Sequence, residues 1–481
     1  MKAEGILLSS LLFSALIGLL VFSFNTFISR DDIILLYDAK RFFVCFLILF
    51  AWCVLLYSNT LKQQTYEKLI HLNKTTRILL IIIVVGAVIA NTLSEHPLRS
   101  HTDFFYLLSL GLLSVLFSIS AQSHRVRIYI YLSWISVLLF LSVLTAFWIR
   151  VYYQLDTTIH SIFGFANARF LNQMQVWLVL PTLYLAITHR RKPLLFNFLR
   201  LTLAMHVAIF MALDARGVTI AVTTGVLLWA WLDKPLRGLI LKLLWQSIVF
   251  GIILKLVILE PLPAFLVYGE PFSISKIRTD SPGRLALWKE SLEIAQWWGY
   301  GGDGFVCRTS SAFGHPHNSA LLLLVNWGVI PAISYLCLLL YTFKHVVQSS
   351  LRKVKVTGLS LLTGFAYSLI SGVLTMPLSQ LLMTLTLGLF WFSLNSRNRA
   401  HSAAKSPSLR ADSCFKSFPY FKAYSYFQAF LYITIICAVL SISAVAYKSY
   451  LRIEGYENHV AHKKIYPQFW MGYNCDKTLS Q

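Results

Sequence analysis

Three short stretches hold the residue types needed for a proton transfer beside an anion. In "GHPHNSALLLLVNWGVIP", residues 314–331, His315, His317 and Asn318 stand directly ahead of an apolar run. An imidazole held neutral can accept a proton on one ring nitrogen while a neighbour orients the other. The plainer alternative is a helix start, which Pro316 and the polar run His317-Asn318-Ser319 also suit. "LDARGV" contributes Arg216, and "SPGRLALWKESLEIA" contributes Arg284. Guanidinium groups keep their charge and grip phosphate oxygens in pairs, so two of them fit a diphosphate. A histidine beside them could deprotonate an incoming hydroxyl as the diphosphate leaves. For Arg216 the alternative is an ion pair with Asp214 or a side chain snorkelling to water.

What must position these residues is a membrane bundle. The chain is 57% hydrophobic and 13% charged, against about a quarter charged in soluble domains, and its mean hydropathy is +0.65. This is the composition of an all-α polytopic membrane protein. The net charge of +22 does not indicate nucleic acid, because Lys and Arg lie in short connections between apolar runs rather than on a soluble face. Runs of roughly 20 apolar residues mark about thirteen spans, near 6–28, 41–57, 77–93, 104–121, 128–149, 171–188, 195–213, 218–232, 238–258, 319–342, 357–375, 379–395 and 426–447. The first nine fill residues 1–258, a large loop covers 259–318, three more fill 319–395, a Ser- and Lys-rich linker covers 396–425, and the last span with its tail covers 426–481.

Charge then orients the bundle. With the amino terminus cytoplasmic, every short inside loop is basic, as at Lys62, Lys68, Arg125, Arg190 and Arg352, while the short outside turns hold only Arg99, only Arg216 or nothing. The large loop and the His and Arg residues therefore face outward. Within that loop, Leu285, Leu287, Trp288, Leu292 and Ile294 repeat at helical spacing, and "WWGYGGDGF" follows with Gly299, Gly301, Gly302 and Gly304. Arg169 and Asn172, at the outer start of the sixth span, are further candidates for phosphate or sugar contact, and Asn167 there equally suits a helix start. Cys307 and Cys475 face the oxidising side, where they could pair. The outer tail "AHKKIYPQFWMGYN" reads as an interfacial anchor. No Asp-x-Asp pattern occurs, so a metal-dependent nucleotide-sugar route has no visible ligands.

At these residues the chain resembles the O-antigen ligase and polymerase superfamily. "HPHNSALLLLVNWGVIPAISYL" is similar to its His-Asn signature, matched at His317, Asn318 and Gly328. "GRLALWKESLEIAQWWGYGGDGF" resembles its Arg-x-x-x-Trp helix and Gly-rich loop, matched at Arg284, Trp288, Gly299, Gly301 and Gly304. "LDARG" is similar to its Ser-Arg-Gly turn, with Ala215 replacing the serine, and "FGFANARFLNQ" resembles a weaker element at Phe165 and Asn167. The chain departs from the ligase pattern at Pro331. The resemblance implies a GT-C-type bundle of 12–13 helices under a large periplasmic loop in a bacterial inner membrane. It also implies metal-independent, inverting transfer of a glycan from undecaprenyl diphosphate, with no cofactor and His317 as base or acceptor positioner.

Several functions follow from that donor chemistry. The leading one is ligation of the glycan to lipid A core oligosaccharide. Polymerisation of lipid-linked repeat units and transfer to protein differ only in the acceptor, which these motifs do not read. A non-enzymatic polysaccharide transporter would need ionisable residues through the spans, whose interiors read as nearly charge-free apart from Lys255. On this reading Arg216, Arg284 and His317 are catalytic, while Asn318, Arg169, Asn172, Trp288 and His315 contact substrate.

Overall fold

Backbone polar groups left unbonded in lipid are costly, so apolar spans fold as helices. The computed structural model describes residues 2–24, 33–153, 164–269, 283–311, 313–405, 420–454 and 469–470, and every regular element among them is helical. The first elements are α1 (Lys2–Ser23), α2 (Ile33–Tyr57), the polar helix α3 (Asn59–Ile70), α4 (Lys74–Thr92) and α5 (Pro97–Tyr152). Next come α6 (Ala168–Thr188), α7 (Pro193–Ala212), α8 (Arg216–Leu232) and α9 (Arg237–Leu254), which runs on as a π-helical turn, Lys255–Leu259. Short helices α10 (Leu262–Tyr268), α11 (Arg284–Ile294), α12 (Gly304–Arg308) and α13 (Ser319–Trp327) precede α14 (Val329–Gln348), α15 (Arg352–Ser368), α16 (Pro377–Lys405) and α17 (Tyr420–Glu454).

Ten helices among the described residues are long and apolar enough to cross a membrane, so the chain is a multi-pass membrane protein. One of them, α5, has 56 residues, which laid straight would span about 84 Å at 1.5 Å per residue. Its two ends instead meet the same face of the bundle. Ser100 donates to the Gly302 carbonyl, and at the far end Trp148 donates to the carbonyl of Ile258, on the turn that leaves α9. The helix therefore folds back near residues Gln122–Arg127, which are exposed or half-buried, and supplies both expected spans, 104–121 and 128–149. Helices α8 and α15, with 17 residues each, rise about 25 Å and complete the crossings.

Glycines set the packing that gathers one end of the bundle. A Cβ at Gly364 of α15 would lie 2.1 Å from the Trp177 ring of α6, and one at Gly225 of α8 would lie 2.3 Å from Thr363 Oγ1. With no side chain at those points, α15 wedges between α6 and α8. The site-face ends of all three helices then converge, and Gly217 at the start of α8 sits against the Tyr367 ring, where a Cβ would approach to 2.9 Å.

Three expectations need correction. The run 319–342 is not one span but two helices, α13 and α14, broken at Gly328. Residues 396–405 and 420–425 of the expected linker are helical, in α16 and α17, and 406–419 lie outside the described residues. The span interiors are not charge-free either. Helices α2 and α17 extend about two turns beyond the apolar runs and bury Asp38, Lys40, Arg41, Lys448 and Arg452 at their site-face ends. Hydropathy stopped each span where its charges began, and those charges are tolerated because they pair. Arg452 Nη2 lies 2.6 Å from Asp38 Oδ2. Arg41 donates to Tyr106 Oη at 2.7 Å, to the Phe469 carbonyl at 2.8 Å and to Gln380.

Candidate active site

The Gly-rich loop and the helix break are one structure. Gly328 has φ +89°, a conformation open to glycine, and a Cβ there would lie 2.2 Å from the Trp297 carbonyl oxygen. Across this contact Val329 N–H donates to Trp297 O at 3.0 Å, and Gly301 N–H donates to Asn326 O at 2.7 Å. The Asn326 side chain accepts from Phe305 N–H at 2.9 Å. Glycine richness in "WWGYGGDGF" thus reflects backbone crossing backbone at the tip of a helical hairpin.

That hairpin sinks the histidine loop into the bundle. Ser319, at the start of α13, bonds Tyr335 of α14 at 2.9 Å and Ser368 of α15 at 2.7 Å. Tyr335 lies about 10 Å of helical rise below the Gly328 tip, so α13 climbs outward from a buried start. His317, just before that start, adopts φ 54°, a left-handed conformation that histidine visits more often than most residues. Asn318 secures the turn as N-cap, accepting from Ala320 N–H at 2.9 Å and Leu321 N–H at 3.1 Å. Trp288 of α11 donates to the Pro316 carbonyl at 3.1 Å. Both residues, expected to touch substrate, have structural partners in the loop.

The two histidines occupy different environments. His315 is 5% exposed, its Nδ1 accepts from His317 N–H at 3.1 Å, and its ring fills a slot against Gly372, where a Cβ would approach Nε2 to 2.5 Å. Burial lowers its pKa to about 4. His317 stacks edge-on to it at 4.2 Å between ring centroids, is only partly buried, and its ring nitrogens have no hydrogen-bond partner among the described residues. Burial, then His315, then the charges of Arg284 and Arg169 push its pKa down to about 2. In the ligand-free site it is a neutral imidazole.

Each arginine stands in the first turn of a helix. Arg284 opens α11 after Gly283 at φ +89°, and Arg216 opens α8. Arg169 is the second residue of α6, its N–H donating to the N-cap Asn167 at 2.9 Å. Burial, followed by the fields of Arg169 and Arg216, lowers the Arg284 pKa, while Tyr367 opposes this. Arg284 therefore lies within electrostatic reach of both Arg169 and Arg216. Arg216 pairs with Asp214 at 3.4 Å, both side chains being over two-fifths exposed, whereas Arg169 and Arg284 form no ion pair among the described residues. Cations at helix N-termini favour a nearby anion.

Some neighbours were missed by the sequence reading. Tyr367, in the last turn of α15, lies beside Ser371, Arg284 and Arg169, and Ser371, in the turn between α15 and α16, accepts from Gln173 Nε2 at 3.2 Å. Neither residue carries a charge, so neither gave a chemical signal. Asn172 lies buried one turn below Arg169 with no partner for Oδ1. Cys307 is disulfide-bonded, and the expected partner Cys475 lies outside the described residues, as does all of the outer tail except Phe469 and Trp470. Those two residues pack into the bundle, Trp470 against Phe42 at 4.5 Å and Phe469 against Tyr106 at 4.7 Å.

No curated protein and no solved structure matches the chain. Residues 201–336 match a family model described as O-antigen ligase, Wzy_C. The matched stretch takes in Arg216, Arg284, His315, His317 and the Gly328 break, and stops short of Arg169 and Tyr367. Over this segment, less than a third of its length, the chain is similar to the O-antigen ligase family.

Proposed function

We propose that the protein is a glycosyltransferase of the periplasmic face of a bacterial inner membrane that moves a glycan from undecaprenyl diphosphate to lipid A core oligosaccharide. The observation that carries this reading is a neutral His317 in the fields of Arg284 and Arg169, with Arg216 near Arg284 and, among the described residues, only Arg216 of the three paired to an acid. The match of residues 201–336 to the O-antigen ligase family model supports ligase or polymerase chemistry in general.

In the proposed reaction the arginines hold the donor diphosphate, and its negative charge offsets the fields that keep His317 from binding a proton. The acceptor hydroxyl attacks the anomeric carbon from the face opposite the diphosphate. Its proton passes to a ring nitrogen of His317, the bond from the anomeric carbon to diphosphate oxygen breaks, and the electron pair leaves on the diphosphate. Arg284 and its neighbours stabilise the charge that develops there, a type of contribution usually worth about 10²–10³ in rate per donor. His315, Asn318 and Trp288 hold the loop that aims His317, and no cofactor or metal takes part.

The test is reconstitution of purified protein with an undecaprenyl-diphosphate-linked glycan, with or without lipid A core. Product formed only when lipid A core is present supports ligation. Lengthening of the lipid-linked glycan in its absence would make the protein a polymerase. No transfer to either acceptor from a donor proven active would overturn the reading and redirect attention to protein acceptors or transport.

A further inference from the structure

The loop that carries His317 is held at both ends by one helix. At the far end, Trp288 of α11 donates to the Pro316 carbonyl, next to His317. At the near end, Glu290 of the same helix gathers three donors on one oxygen, Oε1: Thr309 Oγ1 at 2.9 Å, Ser310 N–H at 2.6 Å and Ser310 Oγ at 3.0 Å. From that anchor the bonds run on toward the histidine. Ser311 N–H donates to Thr309 Oγ1 at 3.1 Å, and Phe313 N–H donates to Ser311 Oγ at 3.3 Å. Phe313 then stands edge-on to the His317 ring, with 5.3 Å between centroids, and His315 is the second ring against it.

The described residues between α12 and α13 form no regular element, so side-chain bonds rather than a backbone ladder set their course. A carboxylate makes such bonds about twice as strong as a neutral acceptor does, which makes Glu290 the firmest hold on this loop. Its charge is not used elsewhere. Glu293, the other acid of α11, faces solvent and pairs with Lys289, whereas Glu290 forms no ion pair among the described residues. The helix itself is anchored from below, where Leu287 packs with Phe305 and Val325 in one buried cluster.

Arg284 opens the same helix, six residues before Glu290, or about 9 Å of helical rise. One rigid piece therefore carries a guanidinium at its first residue and the two ties on the histidine loop further along. We propose that Glu290 is a positioning residue: by pinning Thr309 and Ser310 to the helix that bears Arg284, it fixes the His317 ring at a set distance from the donor diphosphate. This inference rests on the transfer reading above and adds to it the side chain that sets the aim of the base. Glu290 acts through His317 and not on the substrate.

The test places Glu290→Ala in two backgrounds, wild type and His317→Ala, and measures donor affinity apart from turnover. In the wild-type background kcat is expected to fall about a hundredfold, the scale of a 1 Å misplacement of a reacting group, with donor Kd unchanged. In the His317→Ala background the same substitution should leave the residual rate where it was, because no base is left to aim. An equal fold-loss in the two backgrounds, or a loss of donor affinity that matches the loss of kcat, would overturn the proposal. Glu290→Gln keeps Oε1 as an acceptor for the same three donors and should recover most of the rate; a glutamine variant as slow as the alanine one would contradict the hydrogen-bonding role. Should the alanine variant fail to fold, Thr309→Val with Ser310→Ala removes both hydroxyl donors and leaves the carboxylate in place. That protein should show the same split between kcat and Kd to a smaller degree, and an unchanged kcat would overturn the proposal. Absence of transfer by the wild type would instead overturn the transfer reading, and this inference with it.

Discussion

Two groups of cationic side chains lie at the same face of this bundle, and they are handled in opposite ways. In the first, Arg41, Arg99, Lys448 and Arg452 are tied to built-in partners. Arg452 meets Asp38, Arg99 meets Asp303 at 3.2 Å, and Lys448 meets Asp103 and, at 3.7 Å, Asp303. Burial would raise the Asp303 pKa, but Lys448 and Arg99 outweigh it and hold the group ionised, well below the usual carboxylate range. In the second, Arg169, Arg216 and Arg284 stand together with a single exposed aspartate between them. A buried cation is tolerated when its partner is part of the fold. Cations gathered without partners, in reach of solvent, leave the counter-charge to a ligand. The first group cross-braces α2, α5, α17 and the loop; the second is the group to which the proposed transfer assigns the donor diphosphate.

The largest expected effect tests the braced group. Asp38→Asn strands Arg452 and should cost about 3–5 kcal/mol, read as a lower Tm in detergent, with kcat per folded molecule unchanged. Replacing both partners, Asp38→Leu with Arg452→Met, should cost far less, because no buried charge is left alone. An equal loss in the two proteins would break the comparison. Next comes Arg284→Lys, which keeps the charge but loses the planar fork. Its kcat should fall about 10²–10³-fold with Tm unchanged, and near-normal turnover would move Arg284 into the structural group.

Gly328→Ala forces a side chain into φ +89° and against the Trp297 carbonyl, and should lower stability by about 1–3 kcal/mol. A Tm equal to wild type would contradict the crossing of backbones at that hairpin tip. Acid should act more gently. His315 and His317 are folded with pKa values of about 4 and about 2, below the ordinary value near 6.5. Below about pH 6.5 the unfolded chain binds more protons than the folded one, so stability falls as pH drops toward 4 and is fully present above about 6.5. Added pyrophosphate should reduce that loss by filling the cation group, and replacing both histidines with glutamine should flatten it. The smallest expected effect is none: a chelator should leave transfer unchanged, and a loss restored by a divalent cation would show that the arginines do not supply the charge alone.

Much of the site was legible because its residues are costly where they stand. Arg216, Arg284 and His317 interrupt apolar surroundings, and the structure brings all three to one end of the bundle. The helical spans were legible for the same reason, since hydropathy registers what lipid demands. The fold-back of α5 was anticipated as two spans, though the turn between them is helical rather than a loop. Hydropathy could not register the break between α13 and α14, because a leucine-rich hairpin and a leucine-rich span have the same composition. Nor could it reveal the charges on α2 and α17, whose tolerance depends on partners hundreds of residues away. Tyr367 at the end of α15 and Gly372 in the turn after it escaped notice because uncharged residues carry no chemical mark until packing places them beside an arginine or a histidine.

The most direct test of the division of labour within the site is to measure donor binding and glycan transfer separately in His317→Ala. If the arginines hold the diphosphate and His317 only takes the acceptor's proton, the variant should bind the undecaprenyl-diphosphate donor with near wild-type affinity and transfer at least about a hundredfold more slowly. Equal loss of binding and transfer would contradict that account and make His317 part of the diphosphate grip.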